Sequence, residues 1–187
     1  DIVINTVALV NIDLCEEEKE MSHNINVKTA LNISKELNQN IQLIHISTDH
    51  LFSGIKSFYT ELDTPKPINQ YGLTKLLAEK KCLSLHKNTL VIRTNIFGWS
   101  PLGHHNTFAE WIYYSLKSDK KINLYNDYFF SPIEVILFAK IIAEIIPFNL
   151  TGVYNICGSE RCSKYQFGIS LAKAFSLNES LIYESKI

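Results

Sequence analysis

Glycine is scarce in this chain of 187 residues: there are seven, and no two stand two or three positions apart. A Gly-rich turn that brings backbone amides against a pyrophosphate at a helix start is therefore missing. Cysteine is equally sparse. Cys15, Cys82, Cys157 and Cys162 lack paired metal spacing, which reads as reduced thiols in a cytoplasmic protein and predicts no metal site and no disulfide framework. No apolar run reaches ~18 residues, so the sequence holds no membrane-spanning helix. Charge of one sign is also lacking. Against 19 Asp and Glu stand 18 Lys and Arg, scattered along the chain, and this leaves no footprint for nucleic acid or an anionic membrane. Methionine occurs once, at Met21, while the chain already opens on a strand-like Ile2-Val3-Ile4. A piece of a longer protein is the expectation.

What is present is an ordinary globular mixture, 46% hydrophobic and 20% charged, which argues against disorder. Ile2-Val3-Ile4, Gln42 to Ile46 and Leu90-Val91-Ile92 are short runs with little polar alternation, as in strands buried on both faces of a parallel sheet. Longer amphipathic stretches separate them. One helix is predicted from about Glu16 to Leu37 with Asp13 as its cap, and another from about Gln70 to Leu85 capped by Asn69. Strand alternating with helix predicts an α/β fold with a doubly wound parallel sheet. Beyond Gly98 the pattern loosens. It gives an aromatic helix (Phe108 to Leu116), a strand (Ile122 to Tyr125), an apolar helix (Ile133 to Ile146), a strand (Gly152 to Ile156) and a last helix (Lys164 to Phe175).

Two Tyr-x-x-x-Lys pairs occur, Tyr71 with Lys75 and Tyr113 with Lys117. On a helix this spacing puts both side chains on one face. A phenol titrates near ~10, and an ammonium ~5 Å away at an effective dielectric of ~20 is worth roughly 3 kcal/mol, or about two pKa units. The pair thus makes a proton donor for a carbonyl under reduction. Nine Tyr and 16 Lys produce this spacing readily by chance, so context has to separate the two. Tyr71 follows a strand ending in Ser47-Thr48, hydroxyls at the sheet edge where open α/β folds bind ligands. Tyr113 lies in an aromatic cluster that looks like packing, although Thr94 ends a strand before it.

Ile46-Ser-Thr-Asp-His-Leu-Phe-Ser-Gly54, Tyr59-Thr-Glu-Leu-Asp63, Pro67-Ile-Asn-Gln-Tyr-Gly-Leu-Thr-Lys75 and Ala78-Glu79 together resemble the extended short-chain dehydrogenase/reductase superfamily. Within it the chain is most similar to the dTDP-4-dehydrorhamnose reductase family. Asp1 to Ala8, Asn11-Ile-Asp13, Arg93-Thr-Asn-Ile-Phe-Gly98, Asp127 with Ser131-Pro132, and Gly152-Val-Tyr-Asn-Ile156 extend the likeness over nearly the whole chain. The resemblance implies a Rossmann-like domain lacking its N-terminal strands (residues 1–98), followed by a small C-terminal substrate lobe with returning Rossmann elements (residues 99–187). It implies reduction of a nucleotide-linked 4-keto sugar by NADPH or NADH, with NADPH favoured, in deoxysugar or polysaccharide synthesis. Tyr71 would protonate the oxyanion, Lys75 would lower the Tyr71 pKa and hold the ribose, and Thr48 would hydrogen-bond the carbonyl oxygen. Thr6, Val7, Ala8, Asn95 and Ile96 would also line the cofactor. His50, Ile96 and Asn106 would face the substrate. A homodimer follows by the same analogy.

Some positions depart from the family pattern. Dehydratases of the superfamily carry Thr-Asp-Glu where this chain has Thr48-Asp49-His50, which disfavours elimination. His50 stands where an aromatic, commonly Tyr, is usual, and Ile96 where Trp is frequent, so the sugar is left open. Alternatives are a non-catalytic regulatory subunit, like the β subunit of methionine adenosyltransferase, and a sugar-nucleotide epimerase. Blander readings fit other residues. His104-His105 is a loop pair, His45 a satisfied core residue, Asp49 a turn cap, the Phe108, Trp111, Tyr113 and Tyr114 stripe core or interface, and Cys82 a small buried hydrophobe.

Overall fold

The computed structural model describes residues 1–101 and 107–187. In chain order the elements are β1 (Ile2–Asn5), α1 (Ile12–Glu17), α2 (Lys19–His23), a π-helical turn (Asn24–Lys28) and α3 (Thr29–Glu36). β2 (Gln42–Thr48), α4 (Gln70–Leu85), β3 (Thr89–Thr94), β4 (Ile96–Phe97) and α5 (Phe108–Lys117) follow. Then come β5 (Ile122–Tyr125), β6 (Phe129–Phe130), β7 (Ile133–Glu134), α6 (Val135–Ile145), β8 (Gly152–Asn155), β9 (Cys162–Ser163), α7 (Lys164–Ala174) and β10 (Ile182–Ser185). The chain divides into two compact units, 1–94 with 142–156, and 95–141 with 157–187. The division falls after Thr94, four residues before the expected boundary, and 142–156 return to the first unit.

The first unit is built on a parallel sheet in the order β1-β2-β3-β8, with Ile44 opposite Leu90 and Leu90 opposite Gly152. Leu43, Ile44, Val91 and Ile92 are wholly buried. Burial on both faces explains why these strands read as continuous apolar runs, and each such side chain contributes about 1.5–3 kcal/mol. Ala30 of α3, Leu43 of β2 and Ala78 and Cys82 of α4 form one cluster, which places Cys82 as the small hydrophobe expected. The first helix starts earlier than predicted. Asn11 caps it, its Oδ1 accepting from Leu14 N at 3.0 Å, while Asp13 sits inside the first turn. Asn69 caps α4 as expected, accepting from Gly72 N at 2.8 Å.

The second unit has a core of residues including Ala109, Ile112, Leu124, Phe130, Phe167 and Leu171. It carries a parallel β5–β10 pair, with Ile182 opposite Ile122. Capping boxes start α5 (Thr107 with Glu110) and α7 (Ser163 with Gln166), each satisfying two helix-end amides. Gly168 allows α7 to lie close to β5, since a Cβ there would stand 2.2 Å from Leu124 Cδ1.

Candidate active site

β2 stops at Thr48 because its side chain turns back on the chain. Thr48 Oγ1 accepts from His50 N at 3.2 Å and caps the 3₁₀ turn Asp49–Leu51. Thr48, and not Asp49, is therefore the cap of this turn. α4 begins close to the same place. Gly72 makes this approach, as a Cβ at that position would fall 2.4 Å from the His50 carbonyl oxygen. Tyr71, the preceding residue, is thereby placed beside this turn, where the Thr48 hydroxyl acts to lower the pKa of its phenol. The His50 ring meets the Tyr71 ring edge-on at 5.5 Å, and Asn69 Nδ2 lies 3.5 Å from His50 Nδ1. Thr48, His50 and Tyr71 thus converge at the carboxyl end of a parallel sheet, the ligand edge of open α/β folds.

Lys75 is one helical turn from Tyr71 and only 2% exposed. Its ammonium donates to the Ile46 carbonyl at 2.6 Å. Burial pulls its pKa down to about 8, and Glu79, a further turn along α4, pulls it partly back up. Glu79 itself is forked onto Arg93 of β3 at 2.8, 3.0 and 3.3 Å. Tyr71 behaves differently from the expectation that Lys75 acidifies it. Burial pushes the phenol up to about 12, the Thr48 hydroxyl acts downward, and the Asp49 and Cys15 charges act upward. With the ammonium seated on Ile46, desolvation outweighs the attraction that spacing alone suggests.

The segment after β1 is tied down by two carboxamides. Asn5 Oδ1 accepts from Val7 N at 3.1 Å. Asn26 then grips Leu9, accepting from its N at 2.7 Å and donating to its O at 3.2 Å. Asn26 Nδ2 also donates to Thr74 Oγ1 at 3.0 Å, and Thr74 Oγ1 to the Tyr71 carbonyl at 2.9 Å. Thr6 and Val7 are exposed between these ties and Ala8 is half-buried. His45 is only half the satisfied core residue expected. Asn5 Nδ2 lies 3.1 Å from its Nδ1, but Nε2 is buried with no partner among the described residues. Asn5, Asn26 and Glu79 went unrecognised as site-building residues. The π-helical turn that aims Asn26 has no local sequence signature, whereas Glu79 four residues after Lys75 was visible as a same-face pair.

Asn95 and Ile96 belong to the second unit. With Trp99, Phe108, Phe130 and Lys164 they line a cavity of about 180 Å³. The Lys164 ammonium lies over the Phe130 ring at 3.7 Å. Tyr113 and Lys117 belong to the second unit too. Lys117 stands over the Tyr113 ring at 5.4 Å, and that ring packs edge-on against Trp99 and Phe175. This pair is a packing contact. Asn106 and His104-His105 lie outside the described residues. Among the described residues no three His, Cys, Asp or Glu are grouped to hold a metal ion, and no helix is long and apolar enough to cross a membrane.

Residues 1–186 match the family defined as the RmlD substrate binding domain. The chain belongs to this family. It is 30% identical over 174 residues to dTDP-4-dehydrorhamnose reductase of Escherichia coli K12, covering 89% of the chain and 57% of that protein. It is 26% identical over 186 residues to methionine adenosyltransferase 2 subunit beta of Rattus norvegicus, covering 96% of the chain and 56% of that protein. The crystal structure of dTDP-4-dehydrorhamnose reductase from Bacillus anthracis in complex with NADP superposes with a TM-score of 0.92 at 26% identity, covering 99% of the chain and 65% of that one. The chain therefore spans less than two thirds of the length of these relatives. The α/β fold with a parallel sheet is shared with the Bacillus anthracis structure.

Proposed function

We propose that the chain is part of an NAD(P)H-dependent reductase that converts the 4-keto group of a nucleotide-linked sugar to an alcohol. The observation that carries this reading is the Tyr71 ring against His50, on the turn that Thr48 caps, with a buried lysine one helical turn away at the carboxyl end of a parallel sheet. The relatives named dTDP-4-dehydrorhamnose reductase support it.

The residues present suit the nicotinamide end of the cofactor. Thr6 and Val7 are exposed just after β1, and Ser47 Oγ and Thr94 Oγ1, at the ends of β2 and β3, are buried with no hydrogen-bond partner among the described residues. Polar atoms of that kind are satisfied by a bound group or ordered water. Thr6, Val7, Ala8, Tyr71 and Lys75 of the first unit would hold the cofactor, NADPH by preference. When bound, the nicotinamide supplies hydride to the keto carbon.

Thr48 then donates to the keto oxygen and orients it. As the carbon gains the hydride, the carbonyl π pair moves onto oxygen, and that oxygen takes the Tyr71 proton. A phenol at about 12 keeps its proton at any physiological pH, which is the state an acid catalyst needs. Delivery is still downhill, because an alcohol is about as weakly acidic as water, near ~15.7. The tyrosinate left behind is the species that needs help. Lys75 gives it by moving its ammonium from the Ile46 carbonyl toward the phenolate oxygen, and solvent restores the proton. His50, beside Tyr71, would face the sugar nucleotide. The enzyme works in the cytoplasm as a homodimer.

The test is oxidation of NADPH by the full-length protein with dTDP-4-keto-6-deoxy sugars. Turnover that requires the 4-keto group supports the reading. The likeness to methionine adenosyltransferase 2 subunit beta favours a second one, a nucleotide-binding regulatory subunit. Absence of turnover on every 4-keto sugar nucleotide, with a stoichiometric protein partner on purification, establishes that reading instead.

A further inference from the structure

His45 is wholly buried on β2, on the same face as Ser47. Its protonation is fixed by its neighbours. Asn5 Oδ1 is committed to the Val7 amide, so the group Asn5 turns to the imidazole is its Nδ2 donor, 3.1 Å from Nδ1. Nδ1 is then an acceptor and the proton sits on Nε2. Burial, reinforced by the Lys75 charge, pulls the pKa to about 3, which keeps the ring neutral. The Nε2–H, however, meets no acceptor among the described residues. A buried donor left unpaired is destabilising, and an apolar side chain of similar size avoids that. What the imidazole supplies in return is one contact, the acceptor for Asn5.

We propose that His45 is a positioning residue that locks the Asn5 carboxamide, so that Asn5 holds the Val7 amide and fixes the backbone of residues 6–8 for the cofactor. The inference rests on the reading that this segment lines the nicotinamide nucleotide. Asn5 fixes the start of the segment and Asn26 its end at Leu9, and the Asn5 end is the one that depends on the imidazole acceptor. Without the Nδ1 acceptor the carboxamide is free to rotate, and the Val7 amide loses its partner.

The test uses the full-length protein with His45→Leu, His45→Asn and Asn5→Ala, measuring NADPH affinity, kcat at saturating NADPH and amide exchange across residues 6–9. Asn places a carbonyl oxygen near the imidazole Nδ1 position and is the conservative rescue. The expected result for His45→Leu and Asn5→Ala is NADPH affinity weakened about tenfold, the scale of one buried hydrogen bond, faster exchange at Val7 and kcat within about threefold of wild type. His45→Asn is expected to restore affinity to within about threefold. If His45→Leu does not fold, Asn5→Ala carries the same expectation. Unchanged affinity in Asn5→Ala, or a His45→Asn defect as large as that of His45→Leu, overturns this proposal while leaving the reductase reading intact. A wild-type protein that binds neither NADPH nor NADH overturns both.

Discussion

The Glu79–Arg93 pair offers the sharpest test of what holds the site together. Glu79 is 2% exposed and Arg93 7%, and three N–H···O contacts of 2.8 to 3.3 Å join them. Both charges have left water, so each depends on the other. Arg93 has little else to turn to. Its Nη1 has no partner among the described residues, and its remaining neighbour in this respect is the Phe52 ring at 5.5 Å. Glu79→Gln keeps the shape but leaves a buried guanidinium uncompensated, a loss of about 3–5 kcal/mol. That is a large part of a typical stability of roughly 5–15 kcal/mol, and for a chain of this size lowers Tm by about 10 °C. Urea unfolding followed by circular dichroism measures it. Replacing both residues by apolar ones (Glu79→Leu with Arg93→Met) removes the stranded charge, so the double variant is expected to be more stable than Glu79→Gln. A loss below about 1 kcal/mol in Glu79→Gln, or strictly additive effects in the double variant, refutes the reasoning.

Three further outcomes follow from the same geometry. Lys75 titrates near about 8, so kcat/KM is expected to fall as pH rises through that value, when the ammonium is lost. Tyr71 at about 12 adds no limb below it, and a rate flat to pH ~10 contradicts the role given to Lys75. His45 binds a proton at about 3 in the folded state against 6.5 in the unfolded chain. Stability is therefore lost as pH falls from 6.5 toward 3, by about 2 kcal/mol at pH ~5, and His45→Asn, compared with wild type across that range, is expected to lack this component. Gly72→Ala improves helix propensity by about 1 kcal/mol, yet its Cβ meets the His50 carbonyl oxygen at 2.4 Å. Lower Tm and lower kcat/KM are expected, and a stabilised, fully active variant refutes the close approach.

Much of the fold was legible because burial writes itself into sequence. β2 and β3 lie between flanking layers and read as unbroken apolar runs, and β5 was placed from Ile122 to Tyr125 as observed. Asn69 was legible as a cap because a side-chain oxygen before a helix has one obvious use. Asp13 was expected as the cap because Asp is a good capping residue, and only the Leu14 amide shows that Asn11 takes that place. Two-residue pairs such as β4 with β7 and β6 with β9 exist through partners distant in sequence, as does β10, which no local pattern announced. The site divides the same way. Spacing found both Tyr-Lys pairs, but the aromatic packing that retires Tyr113 and the carbonyl that receives Lys75 are tertiary facts. The acidity expected of Tyr71 failed for the same reason, since distance along a helix says nothing of desolvation.

The most direct measurement of the central claim is kcat/KM of the full-length Tyr71→Phe protein with NADPH and a 4-keto sugar nucleotide, alongside its NADPH affinity. Loss of the phenolic proton is expected to lower kcat/KM by roughly 10²- to 10⁴-fold, the range for one positioned acid, with NADPH affinity within about threefold of wild type. A near wild-type rate in this variant contradicts the account.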